Sequence, residues 1–223
     1  MGSSSFIYVG MERFETCFCD VPTDQLQSVG NEDCMGGDSF LTVYRIDVTA
    51  VVRGDPHMKT FDGRRYSYQG LCWHTLFKDC SENDAAFEVT AKFEPTVDRT
   101  KTRTVSVNVT VGNEYAIVDQ LNVITGQTTG FVSEPRRIQV QEDGKTISFI
   151  FKSKDTTFTL NWTLLRHVFE VSFEGSDYNG RMCGLLGNAD GEGSNDFVKP
   201  DGTIVSDVDE FGKSWKVYGK TCD

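Results

Sequence analysis

The chain has 223 residues, 38% of them hydrophobic, and a formal net charge of −11. That length supports one large β domain, or a domain with an appendage, around a real hydrophobic core. The acidity argues against nucleic acid or an anionic membrane surface as partner, because like charges repel, and it favours divalent cations or basic partners.

Residues 1–45 read as a small cysteine-bearing segment, with Cys17-Phe-Cys19, then Cys34 before a Met-Gly-Gly-Asp, then the alternating stretch from Phe40 to Tyr44. The run F-I-Y-V-G-M-E-R-F-E-T-C-F-C, followed by C-M-G-G-D-S-F-L-T-V-Y-R-I, resembles the C-terminal half of a WSC domain. That resemblance implies carbohydrate as a partner of the N-terminal segment. The start of the chain lacks both the basic and the apolar regions of a signal peptide. The expectation is a piece of a longer secreted protein, with Met1 to Ser5 vector-derived.

The body, residues 46–223, opens with R-G-D-P-H-M-K-T-F-D-G from Arg53 to Gly63. Asp55-Pro56 is a chemically weak bond, since the Asp carboxyl can attack its own carbonyl carbon while the proline nitrogen leaves comparatively well. Asp62, before Gly63, reads either as a turn residue or as a carboxylate delivered to a metal held elsewhere.

Period-2 alternation then recurs along the chain. Phe87, Val89, Ala91 and Phe93 form one inward row, and Val105, Val107, Val109 and Val111 form another. Further rows run through Ile147 to Phe151, Phe158 to Trp162 and Phe169 to Phe173. Turn signals at Val111–Glu114, Glu142–Lys145 and Glu174–Asp177 separate them. The pattern predicts an all-β fold of two packed antiparallel sheets, a β-sandwich, with helix confined to a short piece around Asp207–Phe211. His74 and His167 fall inside strand-like apolar runs and read as packed rather than catalytic, and Trp73, Trp162 and Trp215 read as core.

Between Cys183 and Phe197 the chain runs C-G-L-L-G-N-A-D-G-E-G-S-N-D-F. Asn188, Asp190, Glu192, Asn195 and Asp196 bring five oxygen-bearing side chains together, with Gly187, Gly191 and Gly193 between them for tight turning. Calcium takes six to eight oxygen ligands from such a mixture. The same residue types also build ordinary solvated turns. An EF-hand is excluded, because Lys199 stands at the twelfth position where a bidentate Glu is required. From Asn188 to Glu210 the acids Asp190, Glu192, Asp196, Asp201, Asp207, Asp209 and Glu210 face one base, Lys199. A cation site explains only part of that acidity.

The seven cysteines, at 17, 19, 34, 72, 80, 183 and 222, contain no C-x2-C pair, and the three histidines offer no standard zinc spacing. Disulfides are the better account and imply an oxidising, extracellular compartment. Two glycosylation sequons, at Asn108 and Asn161, agree with it. No run is long and apolar enough for a transmembrane helix.

Taken together, G-D-P-H-M-K-T-F-D-G-R-R-Y-S-Y-Q-G-L-C-W, the C-G-L-L-G-N-A-D loop, V-D-E-F-G-K-S-W-K-V and the terminal Cys222 resemble a von Willebrand factor type D domain across residues 46–222. Y-x-Y-Q-G-x-C-W and D-V-D-E-F-x-x-S-W are similar to the crossveinless- and kielin-like members. The resemblance implies a calcium site made by the side chains of Asp62, Asn188, Asp190, Asn195 and Asp196 with the backbone carbonyl of Glu192. It also implies bridges Cys72–Cys222 and Cys80–Cys183. Leu186 replaces a family cysteine whose usual partner is absent too, which implies that one whole bridge is lost, that Leu186 packs instead, and that a thiol-exchange role is lost with it. At least one of Cys17, Cys19 and Cys34 is left without a partner in this chain. Several relatives cleave at the Asp-Pro bond in mild acid, which makes Asp55, Pro56 and His57 candidates for autocleavage.

The resulting expectation is a secreted, calcium- and disulfide-stabilised scaffold that binds extracellular proteins of matrix or growth-factor type. No nucleophile elbow, H-E-x-x-H, P-loop or dinucleotide fingerprint points to an enzyme. The alternatives are a secreted luciferase-type oxidase on the same fold and a yolk or mucus structural component. Luminescence with added luciferin separates the former, and pull-down from extracellular matrix helps separate the latter.

Overall fold

The computed structural model describes residues 7–12, 16–19, 42–46, 48–81, 84–128 and 136–222. The first strands are β1 (Ile7–Glu12), β2 (Thr16–Cys19) and β3 (Thr42–Ile46), which form a small antiparallel sheet in the order β2-β1-β3. Cys34 and most of the WSC-like stretch lie outside the described residues.

The body carries β4 (Thr49–Arg53), β5 (His57–Lys59), β6 (Arg65–Ser67), β7 (Cys72–Asp79), β8 (Phe87–Pro95), β9 (Thr102–Val111), β10 (Glu114–Asp119) and β11 (Asn122–Gln127). Next come β12 (Ile138–Asp143), β13 (Thr146–Ser153), β14 (Thr156–Thr163), β15 (Val168–Glu174), β16 (Met182–Cys183) and one α-helix, α1 (Val208–Ser214). They make a six-stranded sheet, β11-β10-β9-β8-β7-β16, and a seven-stranded sheet, β12-β13-β14-β15-β4-β5-β6. Neighbouring strands run antiparallel throughout. The expected all-β, two-sheet architecture is what the chain adopts.

The alternating rows set this arrangement, since a strand with apolar side chains on one face must bury that face. In the seven-stranded sheet Phe151 opposes Phe158 and Phe158 opposes Phe173. From the other sheet Phe77 and Phe87 reach across, with ring centroids 5.9 and 4.7 Å from Phe158. Phe158 is fully buried at the middle of this aromatic cluster. Burying a ring of that size contributes about 1.5–3 kcal/mol.

The turn residues behave as their chemistry predicts. Gly112 and Gly144 take positive φ in the β9–β10 and β12–β13 hairpins. Asp207 caps α1 by accepting from the Glu210 amide at 2.7 Å. Trp162 and Trp215 are buried, and so is His74. Two expectations need correction. Trp73 is only half-buried, donating to the Thr221 carbonyl at 3.1 Å beneath the Lys220 ammonium, because it lies on the outer face of its sheet under the C-terminal tail. His167 is not in a strand: it sits at φ 47° just after a 3-10 turn, Leu164–Arg166, and its ring meets the Thr104 carbonyl at 2.9 Å.

Candidate functional site

The candidate site forms where the β5–β6 turn meets the loop that follows β16. A bulge in β7 between Thr75 and Phe77 begins the arrangement. It breaks the ladder so that the Thr75 and Leu76 carbonyls accept from the Leu185 and Leu186 amides at 3.2 and 2.8 Å. Leu186 is fully buried there, in keeping with the expectation that this side chain packs. Two disulfides anchor the surroundings. Cys80–Cys183 fixes the start of the loop with Cα atoms 5.9 Å apart, and Cys72–Cys222 ties the chain terminus to β7 with Cα atoms 4.9 Å apart. They join positions 103 and 150 residues apart respectively, each contributing about 4–5 kcal/mol in the chain-entropy model.

From this base the loop is stitched to the β5–β6 turn. The Phe61 amide donates to the Leu186 carbonyl at 2.9 Å, and the Gly191 amide donates to Asp62 Oδ1 at 2.8 Å. Thr60 Oγ1 donates to Asp196 Oδ2 at 2.6 Å, and Arg64 donates to the Ser194 carbonyl at 3.0 Å. The same Arg64 guanidinium lies 3.4 Å from the centroid of the Phe197 ring, which stacks on Phe211 of α1 at 4.5 Å. Sequence reasoning nominated neither Thr60 nor Arg64; Thr60 belongs to the same M-K-T-F-D-G run that supplied Asp62.

These contacts bring all the sequence-predicted oxygen donors into one region. Asp196 is buried at 1% exposure, while Asp190 and Glu192 lie at the exposed rim. Asp196 Oδ1 and Asp62 Oδ2 are both buried, and neither has a hydrogen-bond partner. Burial pushes the Asp196 carboxyl up to about 7, opposed by its Thr60 hydrogen bond and reinforced by the Asp62 charge beside it. A buried carboxylate oxygen without a donor is costly in a folded protein. Two of them facing a common region fit a hard cation.

The remaining donors are arranged less favourably for an ion. Asp190 Oδ2 accepts from the side-chain amides of Asn188 at 2.9 Å and Asn195 at 2.8 Å, and Asp190 Oδ1 accepts from the Glu192 amide at 2.8 Å. The Glu192 carbonyl accepts from the Asn195 amide at 3.1 Å, which leaves one lone pair for another partner. Among the described residues no three His, Cys, Asp or Glu side chains converge as a metal-binding group. Both Asn amides present nitrogen toward Asp190, while Asn188 Oδ1 accepts from the Asp190 backbone amide at 3.3 Å. The donor set, three carboxylates with two amide oxygens and a carbonyl, contains oxygen alone and suits calcium.

The other nominated residues lie apart. Asp55 accepts an ion pair from Lys101, and His57 Nε2 is 3.0 Å from its other oxygen. The Lys101 hydrogen bond holds the Asp55 carboxyl below the usual range. Pro56 is buried, with its carbonyl accepting from the Tyr68 amide at 3.3 Å. Asn108 is buried on central strand β9 at 8% exposure, so a glycan there would have to displace its cover. Asn161 is half-buried on β14 and accepts from Ser148 at 2.7 Å.

Comparison with known proteins agrees with the motifs. The chain is 32% identical to IgGFc-binding protein of Homo sapiens over 189 residues, 76% of this chain and 3% of that protein. It is 29% identical to zonadhesin of Homo sapiens over 177 residues, 78% of this chain and 6% of that protein. With mucin-5B of Homo sapiens it shares 31% identity over 173 residues, again 76% of this chain and 3% of the relative. The chain therefore spans a small fraction of each. The family model of the von Willebrand factor type D domain matches residues 50–203, well over half of the chain, and the chain belongs to that family.

Proposed function

We propose that this chain is a calcium- and disulfide-stabilised extracellular scaffold module that binds other proteins and has no catalytic role of its own. The observation that carries the reading is the pair of buried, donor-free carboxylate oxygens on Asp62 and Asp196. Calcium at this position would supply the positive charge that those oxygens lack. The protein's own contribution is to hold Asp62 and Asp196 at fixed positions through Gly191 and Thr60, from parts of the chain remote in sequence. Closing so long a loop stabilises the whole fold rather than one turn.

Two disulfides support an oxidising, extracellular setting. The relatives' printed names include mucins and an IgGFc-binding protein, which supports a binding or matrix role over catalysis. The finer likeness to crossveinless- and kielin-like proteins rests on Y-x-Y-Q-G-x-C-W and D-V-D-E-F-x-x-S-W, and carbohydrate binding by the N-terminal segment rests on the WSC-like motifs.

Thermal melts of the intact chain with calcium and with chelator test the reading, repeated on Asp190→Ala. The expected result is a higher melting temperature with calcium and a loss of that difference in the variant. Identical melts of the wild-type chain in calcium and in chelator would falsify the calcium site.

A further inference from the structure

The outer face of the seven-stranded sheet, at its β4–β5–β6 end, runs against the charge of the chain. Arg53 stands directly opposite His57 between β4 and β5, and Lys59 stands directly opposite Arg65 between β5 and β6. Residues 57 and 59, like 65 and 67, are two apart on their strands, so both pairs project from the same face. Like charges placed directly across a ladder destabilise a sheet. The Lys59–Arg65 pair, with Arg53 on the same face, is therefore not explained by folding alone in a chain of net charge −11.

Local acids answer only part of this charge. Glu170 lies 3.9 Å from Arg53, and Asp55 lies 3.0 Å from His57. Among the described residues no acid pairs with Lys59 or Arg65. The face forms a groove of about 410 Å³ lined by these basic residues together with Val51, Met58, Tyr66 and Ser67. That volume falls within the range of small-ligand sites.

We propose that this groove binds a short anionic oligosaccharide, with Lys59 and Arg65 contacting its sulfate or carboxylate groups beside the Ser67 hydroxyl, which already bonds His57 Nδ1 at 2.7 Å. Of the other lining residues, Val51 and Met58 are buried, at 8% and 2% exposure, and Tyr66 turns its ring to Phe197 and Phe211 and donates its hydroxyl to the Leu185 carbonyl, so no apolar anchor protrudes for a protein partner. The large exposed apolar side chains, such as Leu71, Ile124 and Tyr218, are not among the groove's lining residues. The overall negative charge works against a long polyanion, and a short one meets chiefly the local field. This proposal stands independently of the calcium site.

The test is calorimetric titration of the intact chain, in calcium-containing buffer of low ionic strength, with two defined probes and one control. A heparin-derived tetrasaccharide carries sulfates, a tetragalacturonate carries carboxylates alone, and hexaglutamate represents an acidic peptide. Binding of either sugar, weakened at least tenfold in Lys59→Gln/Arg65→Gln and unchanged in Lys145→Gln on the distant β12–β13 turn, supports the proposal and identifies the anionic group. If the double variant melts below the wild type, the single variants Lys59→Gln and Arg65→Gln replace it, each expected to weaken binding several-fold. Absence of binding by both sugars, unaltered affinity in the variants, or hexaglutamate binding as tightly as the sugars overturns it.

Discussion

Asp62 and Asp196 each hold one buried carboxylate oxygen that no donor reaches, although hydrogen bonds from Gly191 and Thr60 and the Arg64–Phe197 contact tie their two segments together. Burial first, and then the Asp62 charge beside it, disfavour the ionised form of Asp196. Asp196→Asn removes one charge at nearly constant volume and introduces an amide that can donate to Asp62. In chelator, the variant is expected to melt a few degrees above the wild type; in calcium, the order reverses. Melting curves in the two buffers check this, and a variant that is less stable in both would mean that the carboxylates do not repel.

The same pair predicts a pH dependence. In the folded chain Asp196 stays protonated up to about pH 7, against 3.8 for the unperturbed group. Between those values the folded state binds more protons than the unfolded one, so this group's contribution to stability falls as pH rises. His74 acts in the opposite sense: burial lowers it from 6.5 to about 4, so its contribution rises with pH over that window. The difference between wild type and Asp196→Asn isolates the former. In chelator, the stabilising effect of the substitution should be small near pH 4 and grow steadily toward pH 7.

Gly187 is expected to tolerate no side chain. Its φ is +83°, and a Cβ there would strike the Asp196 carboxylate. The neighbour cannot give way, because Thr60 pins Asp196 and the core encloses it. Gly187→Ala should cost roughly 2–3 kcal/mol or more, combining backbone strain with overpacking. Urea unfolding measures this, with Gly191→Ala as the comparison: Gly191 also has positive φ, but nothing lies near its Cβ.

At Asp55-Pro56, the Asp55 carboxylate is drawn outward by Lys101 and His57. The bond is further held by the Pro56 carbonyl's contact with the Tyr68 amide. An intact chain is therefore expected after days at pH ~5.5, with cleavage appearing in Lys101→Ala once the carboxylate is released. Reducing gel electrophoresis reads both, and fragments from the wild-type chain would show that the ion pair does not protect the bond.

Much of this protein was legible from its sequence because the information is local. Alternation of Phe87 to Phe93, of Val105 to Val111 and of Phe158 to Trp162 states which face is buried, and the glycines at 112 and 144 state where hairpins reverse. The oxygen-rich loop from Asn188 to Asp196 was equally visible as a cluster of donors in a short span. Only tertiary structure decided which of those donors matter most. Burial is a property of the neighbours: Asp196 lost its solvent because Phe197 stacks against Phe211 and Arg64, whereas Asp190, six residues earlier, remained at the rim. Thr60 and Arg64 escaped notice for the same reason, since a threonine and an arginine beside a turn carry no signal until the bulge in β7 brings the loop against them. The pairing of Arg53 with His57 and of Lys59 with Arg65 likewise exists only in the strand register, because bases scattered over thirteen positions become one charged face when three strands align.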